Sequence, residues 1–395
     1  MGNKSARTAE NKVLNVVRAV SALLVVLGHV RLLFFEDYAT AEQGPITAVL
    51  YALTSLGSQA VIVFFVLSGY WVGLSAMSRM KTGTFSWSSY ASSRLTRLWL
   101  VLLPALVLTA VVDQIGRRLF PDSDVYIQGA KYVGIPADAS YSTLTFIGNL
   151  AFVQSIHVPY FGTNGPLWSL AFEFWYYLLF PALLIAFRRS ATWKARVAAV
   201  TILIAGAAIS GTEVLLLFPA WLLGALVAAN RNRISAMLEA MRPSQLLGAR
   251  SSAVFLTVGT MIFSHETTLP LRLGAWLTAI AAALLVLVFV RDVEFRGAAG
   301  RALSTVSYTA KFSYSFYAIH MPLVVFLAAL IVPLHEGRWP MDLPHMAMAA
   351  AVILAIGFAS YLFGELTEQK TEATRSLIAR ARRAATPDRY KAPKY

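Results

Sequence analysis

Val13-Leu-Asn-Val-Val-Arg18-Ala-Val-Ser-Ala-Leu-Leu-Val-Val-Leu-Gly-His29-Val-Arg31-Leu-Leu-Phe-Phe35 is apolar except for a few isolated polar positions. About 20 such residues in a helix cross the ~30 Å hydrocarbon core of a bilayer. The run is longer than a signal-peptide core and lacks an Ala-x-Ala exit, so it reads as a retained first span behind a polar start that carries Lys4, Arg7 and Lys12. The composition agrees: 57% of residues are hydrophobic, 14% are charged, and the mean hydropathy is +0.61. A soluble enzyme of 395 residues is not built this way.

Working outward, apolar runs bounded by charged or Pro/Gly-rich segments predict spans near 13–35, 57–77, 98–115, 166–187, 195–211, 213–229, 252–264, 273–290, 312–333 and 346–365. The fold class expected is therefore an all-α integral membrane protein with about ten transmembrane helices. The stretch 144–155 is too short to cross and reads as a lid or re-entrant segment. With a cytoplasmic N-terminus, 27 of the 34 Lys/Arg fall in inside segments and six outside, as the positive-inside rule predicts when both termini are cytoplasmic. The net charge of +14 is thus mainly a topology signal and a contact with anionic lipid, not a nucleic-acid face. The expected organisation is a cytoplasmic N-terminus (1–12), one membrane domain (13–368) and a basic cytoplasmic tail (369–395). The stretch from about Thr386 looks disordered.

There is no cysteine, which removes disulfides, thiolate nucleophiles and Cys-based metal sites. Gly-x-Ser-x-Gly, Walker-type and His-Glu-x-x-His motifs are absent, and no Asp/Glu-rich metal cluster is visible, so no metal is expected.

Ionisable residues at bilayer depth are costly, so each is a functional candidate. Arg18 and His29 share one face of the first span, about 16 Å apart along its axis. Arg18 suits a phosphate near the inner boundary, or else snorkels to the interface. His29 suits a general base or an acyl carrier, or else an interhelical hydrogen bond to Ser or Tyr. Glu173, a couple of turns below the outer end of the fourth span, is expected at the depth of His29, where a carboxylate can orient the imidazole; the alternative is a structural partner for a buried Arg or Tyr. Arg94 and Arg97 lie at i and i+3 of a helix start and make either a phosphate site or positive-inside decoration. His320 is expected in the inner half of the ninth span, as a packing histidine bonded to a neighbouring Ser or Tyr, with Pro322 freeing a backbone carbonyl and kinking the helix. His157, His265, His335 and His345 fall in loops or at span ends and carry little signal.

In order along the chain stand Arg18 with His29, Val63-Phe-Phe-Val-Leu-Ser68-Gly69-Tyr70, Arg94-x-x-Arg97, Leu167-Trp168-Ser169-Leu170-x-x-Glu173 and Tyr317-Ala-Ile-His320-x-Pro322. From Arg18 to about Glu368 the chain resembles the membrane acyltransferase 3 family of bacterial polysaccharide and lipid O-acyltransferases. That resemblance implies a ten-helix fold in the bacterial inner membrane, an acyl-CoA donor (usually acetyl-CoA) and a hydroxyl on a carbohydrate or glycolipid as acceptor. His29 matches the essential histidine, and Arg18, Arg94 and Arg97 match the functional arginines. Trp168, Ser169, Tyr317 and His320 would then face the acceptor. Where the family often ends its last span with Glu-Arg-Pro, this chain reads Gly364-Glu365-Leu366-Thr367-Glu368-Gln369, which leaves open whether Glu365 or Glu368 takes that place. The competing class is a transporter or flippase of a lipid-linked glycan, which predicts internal repeat symmetry; none is visible.

Overall fold

A computed structural model describes residues 11–127, 140–266, 271–293, 295–332 and 337–385. Lys4, Arg7, Lys131, His335 and the stretch from Thr386 lie outside the described residues. The helices are α1 (Lys12–Phe34), α2 (Pro45–Thr54), α3 (Gly57–Lys81), α4 (Trp87–Leu119), α5 (Thr143–Leu150), α6 (Trp168–Phe187) and α7 (Trp193–Ala229). They continue as α8 (Arg231–Ala240), α9 (Pro243–Glu266), α10 (Leu271–Val288), α11 (Gly297–Thr309), α12 (Ser313–Ile331), α13 (Leu343–Leu366) and α14 (Thr371–Ala385). Eight helices are long and apolar enough to cross a membrane. Each of the ten expected spans falls on a helix, because α7 holds two of them and α10 is a shorter apolar helix.

The two legs of α7 meet at Gly211, whose φ of 77° and ψ of 171° break the helix. Only glycine adopts such a backbone without strain. Gly206 of the first leg packs on Leu179, and Trp221 of the second packs on Phe180 with ring centroids 5.0 Å apart, so the legs run antiparallel. A bilayer offers no hydrophobic force between helices, and close backbone approach at small residues does the work instead. The pair Gly69 and Gly73 on α3 supplies that approach: a Cβ on Gly69 would lie 1.9 Å from the Trp221 carbonyl oxygen, and one on Gly224 would lie 1.9 Å from that of Val66.

Lys12, Lys81, Arg188 and Arg231 mark what we call the basal end of the bundle; the opposite end is distal. Chain 140–163 enters from the distal end, descends and returns, and both its ends are tied to one buried carboxylate. Asp113 accepts from Tyr141 Oη at 2.9 Å, Thr163 N at 2.9 Å and Thr163 Oγ1 at 2.8 Å. At the bottom of the descent Trp99 Nε1 donates to the Leu150 carbonyl at 2.9 Å. Asp113 and Trp99 are about 21 Å apart along α4 at 1.5 Å per residue. The expected short re-entrant segment is thus α5 and the turn after it. That turn holds Phe152 and Ser155 at φ 59° each, with Phe152 fully buried against Phe174.

Pro322 does free a carbonyl. It belongs to Ala318, and Asn164 Nδ2 donates to it at 2.9 Å while also donating to Thr109 Oγ1 at 3.0 Å. One buried amide therefore locks the re-entrant segment to α4 and α12. The tail begins as α14, where Arg375 donates to the Ser93 carbonyl of α4.

Candidate active site

Three cavities lie in series between α1, α3, α4, α6 and α12. The basal vestibule has a volume of about 1190 Å³ and is lined by Arg18, Arg79, Lys81, Arg97, Arg231 and Lys311 among others. Above it a central cavity of about 100 Å³ is lined by Arg18, Arg94, Arg97, Glu173, Tyr177 and Ser313. The distal cavity, about 320 Å³, is lined by His29, Arg31, Ser58, Tyr160, Trp168 and Tyr317. Arg18, Trp71 and Arg97 are shared by the first two, and Val61 and Tyr317 by the last two. The waist at Tyr317 is narrowed by Phe64, whose ring lies edge-on 6.1 Å away.

At the basal side, Arg18 Nε donates to Ser313 Oγ at 2.9 Å, a second guanidinium nitrogen donates to the Ala310 carbonyl, and the cation sits 5.8 Å over Trp71. This cation is held by protein groups at the floor of the central cavity. Arg94 lies between the rings of Tyr90 and Tyr177, 5.5 and 5.6 Å from their centroids. Arg97 is within electrostatic reach of both Glu173 and Glu368. Because α4 begins at Trp87, Arg94 and Arg97 stand about two and nearly three turns inside it, and the free N–H groups of the helix start do not belong to this site. The apolar window hid that extension.

The tail adds a cation that the sequence reading counted only as topology. Arg375 lies within electrostatic reach of Arg97, Arg94 and Arg79, and its Nε is buried without a partner among the described residues. Four guanidinium groups gathered at one place raise the local potential for a polyanion. The two carboxylates differ in position. Glu365 is exposed, whereas Glu368 accepts from Ser315 N at 3.1 Å and Ser315 Oγ at 3.0 Å and lies within reach of Arg18 and Arg97.

His29 on the wall of the distal cavity is backed by a second histidine, His320. His320, fully buried, lies with Nε2 3.0 Å from His29 Nδ1, and its own Nδ1 is 2.7 Å from the Tyr317 carbonyl. A carbonyl only accepts, so the neutral His320 carries its proton on Nδ1 and presents Nε2 as an acceptor. His29 must then donate from Nδ1, which leaves its Nε2 unprotonated and able to take a proton. The order of the chain is Tyr317 carbonyl, His320, His29. Beside it Tyr317 Oη donates to the Pro166 carbonyl at 2.6 Å and lies 2.7 Å from Ser169 Oγ, so Ser169 is engaged with Tyr317 at the waist.

Two depth assignments change. His320 was expected in the inner half of its span, yet it meets His29, because α1 and α12 run parallel from their contact at Arg18 and Ser313. Glu173 was expected to back His29, but it lines the central cavity with the arginines, and His320 takes the position against the imidazole. The reason is the re-entrant segment. It delivers the chain to Gly165 and Trp168 already at the level of His29, so Glu173 lies a further turn or more toward the basal end. Counting from a bilayer edge placed it too high. Among the described residues no group of three His, Cys, Asp or Glu is arranged to hold a metal ion.

The fold is thus a bundle of membrane-crossing helices with a buried histidine pair above a set of arginines. A family profile described as an acyltransferase domain matches residues 11–364. The chain belongs to the acyltransferase 3 family and is a membrane acyltransferase. No curated protein and no solved structure matches it.

Proposed function

We propose that the protein transfers an acyl group, acetyl in the first instance, from acyl-CoA bound at the basal end to a hydroxyl of a carbohydrate or glycolipid in the distal cavity. The observation that supports this reading is the series of three cavities, with arginines at one end and His29 at the other. Arg97 and Arg94 would hold the phosphates of the donor, since guanidinium forks match phosphate oxygens, and Arg375 would add positive potential beside them. The thiol arm of the donor then passes the Arg18 floor and the central cavity, so that the thioester reaches the Tyr317 waist. Arg18 and His29 are about 16 Å apart along α1, a distance for a long flexible arm and not for a diffusing acyl group.

In the reaction His29 Nε2 takes the proton of the acceptor hydroxyl as its oxygen attacks the thioester carbonyl. The C–S bond breaks, the ester forms, and the proton passes to the departing thiolate, giving free CoA. His320 holds the His29 ring in the tautomer this requires. Trp168 offers a face on which a sugar ring can stack. The charge bias of the loops supports placing the basal end in the cytoplasm of a bacterium, where acyl-CoA is made.

The test is radiolabelled acetyl-CoA with the purified full-length protein and a glycan extract. Release of CoA that depends on the extract, together with label in the glycan, is the expected result. His29→Ala should abolish both with the protein still in the membrane. Normal acceptor labelling by that variant would overturn the assignment, and label retained on rapidly denatured wild-type protein at neutral pH but absent from His29→Ala would identify His29 as an acyl carrier.

A further inference from the structure

The distal cavity contains a cation that the proposed chemistry does not use. Arg31 and His29 flank the Gly28 side of α1, and both line the cavity. Asp37 and Tyr51 lie within electrostatic reach of Arg31, but neither gives its guanidinium a hydrogen-bond acceptor for Nε among the described residues. Asp37 is gripped by Arg338, with Nη1 3.1 Å from Oδ1 and Nη2 2.7 Å from Oδ2. Arg338 is pinned there by its neighbour, since Trp339 N donates to the Phe34 carbonyl at 2.7 Å and Glu36 N donates back to the Trp339 carbonyl at 3.0 Å. Tyr51 meets Arg31 through its ring, 5.4 Å from the guanidinium carbon, and its hydroxyl donates to the Glu36 carbonyl at 2.8 Å.

Stacking on Tyr51 uses the flat face of the guanidinium and leaves its N–H groups in the plane. The Nε–H is buried and has no acceptor among the described residues. A half-buried arginine whose face is covered and whose Nε–H is unsatisfied is set up for a planar or tetrahedral oxyanion. A buried N–H without an acceptor is costly, so the place of Arg31 beside His29 on the cavity wall calls for an acceptor that arrives with the substrate.

We infer that Arg31 is a specificity residue for the acceptor, and that the sugar residue acylated at His29 carries an oxyanion: the carboxylate of an acidic sugar, or a phosphate or sulfate ester. The inference rests on the acyl-transfer reading above. The anion would pair with the Arg31 edge while the neighbouring hydroxyl faces His29 Nε2. Ser58 and Tyr160, which also line the cavity, would contact the rest of the ring.

The experiment is complementation of a deletion strain with wild type, His29→Ala, Arg31→Gln and Arg31→Lys, followed by mass spectrometry of its glycans and glycolipids. The species that lose acylation with His29→Ala should be anionic on the acylated residue itself, and fragmentation separates carboxylate from phosphate or sulfate. Arg31→Gln should lower their acylation roughly ten- to hundred-fold, the scale of a lost charged hydrogen bond. Arg31→Lys should recover part of it as a point charge. CoA should raise the thermal midpoint of purified Arg31→Gln as it does that of wild type, which shows that the fold and the basal site survive. A neutral acylated residue, or full acylation by Arg31→Gln, overturns the inference. Acylation that persists in His29→Ala is a different result, and it overturns the acyl-transfer reading instead.

Discussion

His320 Nε2 lies 3.0 Å from His29 Nδ1, and the far nitrogen of His320 is fixed by the Tyr317 carbonyl. The pair converts a backbone acceptor on α12 into a tautomer choice on α1. Each imidazole passes the constraint to the next, and the free lone pair emerges on His29 Nε2.

Replacing His320 by Ala should therefore lower kcat about ten- to hundred-fold, less than the loss expected for a general base itself, which contributes roughly 10²–10⁴-fold. The donor KM should stay close to wild type, because His320 touches nothing at the basal end. His320→Gln should regain part of the rate if its amide oxygen accepts the His29 proton. Equal losses for Ala and Gln, both accompanied by a lower thermal midpoint, would assign His320 to packing alone.

The arginines should act on donor binding. Arg97→Gln should raise the KM for acyl-CoA about ten- to hundred-fold, the scale of a charge-assisted hydrogen bond of ~1.5–3 kcal/mol. Arg375→Gln should raise it several-fold, since Arg375 adds potential from beside the cavity. The Arg375 effect should weaken with added salt, and the Arg97 effect, inside the cavity, should weaken less, because buried charge is screened less. CoA binding to the folded state alone also raises the thermal midpoint, and Arg97→Gln should lose most of that rise.

The α3–α7 contact should tolerate no added carbon. The Cβ of Gly69→Ala would fall 1.9 Å from a carbonyl oxygen of the facing helix, and that of Gly224→Ala would do the same from the other side. Backbone cannot rotate away as a side-chain tip does, so each change should cost ~3 kcal/mol or more, the upper end of overpacking. Gly248→Ala and Gly259→Ala meet nothing within 4 Å, and in helix interiors they should be neutral or stabilising by up to ~1 kcal/mol. Detergent thermal unfolding of the four variants is the measurement.

Asp113→Ala should release the re-entrant segment. Three donors lose their acceptor at once, the Thr163 amide and hydroxyl and the Tyr141 hydroxyl, at about 1–3 kcal/mol for each group left unsatisfied in a buried place. Asp113→Asn keeps one carbonyl oxygen and should lie between. Hydrogen exchange should rise across 143–163 before it rises in α3 or α12. An unchanged exchange pattern there would show that packing, not Asp113, holds the segment.

Much of this molecule was legible in its amino acids. Each apolar run became a helix, because a backbone in hydrocarbon must satisfy its own hydrogen bonds and a helix does so within one segment. The short run at 144–155 was correctly set apart on length alone. Arg18 and His29 were visible because charge at that depth is rare, and one helical face connects them by simple periodicity. The Gly69-x-x-x-Gly73 spacing is equally readable, whereas Arg31, near the distal end of the first span, carries no local pattern that sets it apart.

The tertiary structure alone decided which residues meet. His320 against His29, Glu368 rather than Glu365 beside Arg18 and Arg97, and Arg375 beside Arg94 all join positions far apart in the chain, and no local pattern encodes their distance. Depth failed most instructively at Glu173. Sequence counts depth from where an apolar run begins, but a re-entrant segment can start a helix well below the surface of the bundle. The chain by itself fixed the solvent, the spans and the two residues of α1; packing fixed the levels at which they face their partners, because side-chain contact and not hydrophobicity sets the register between helices.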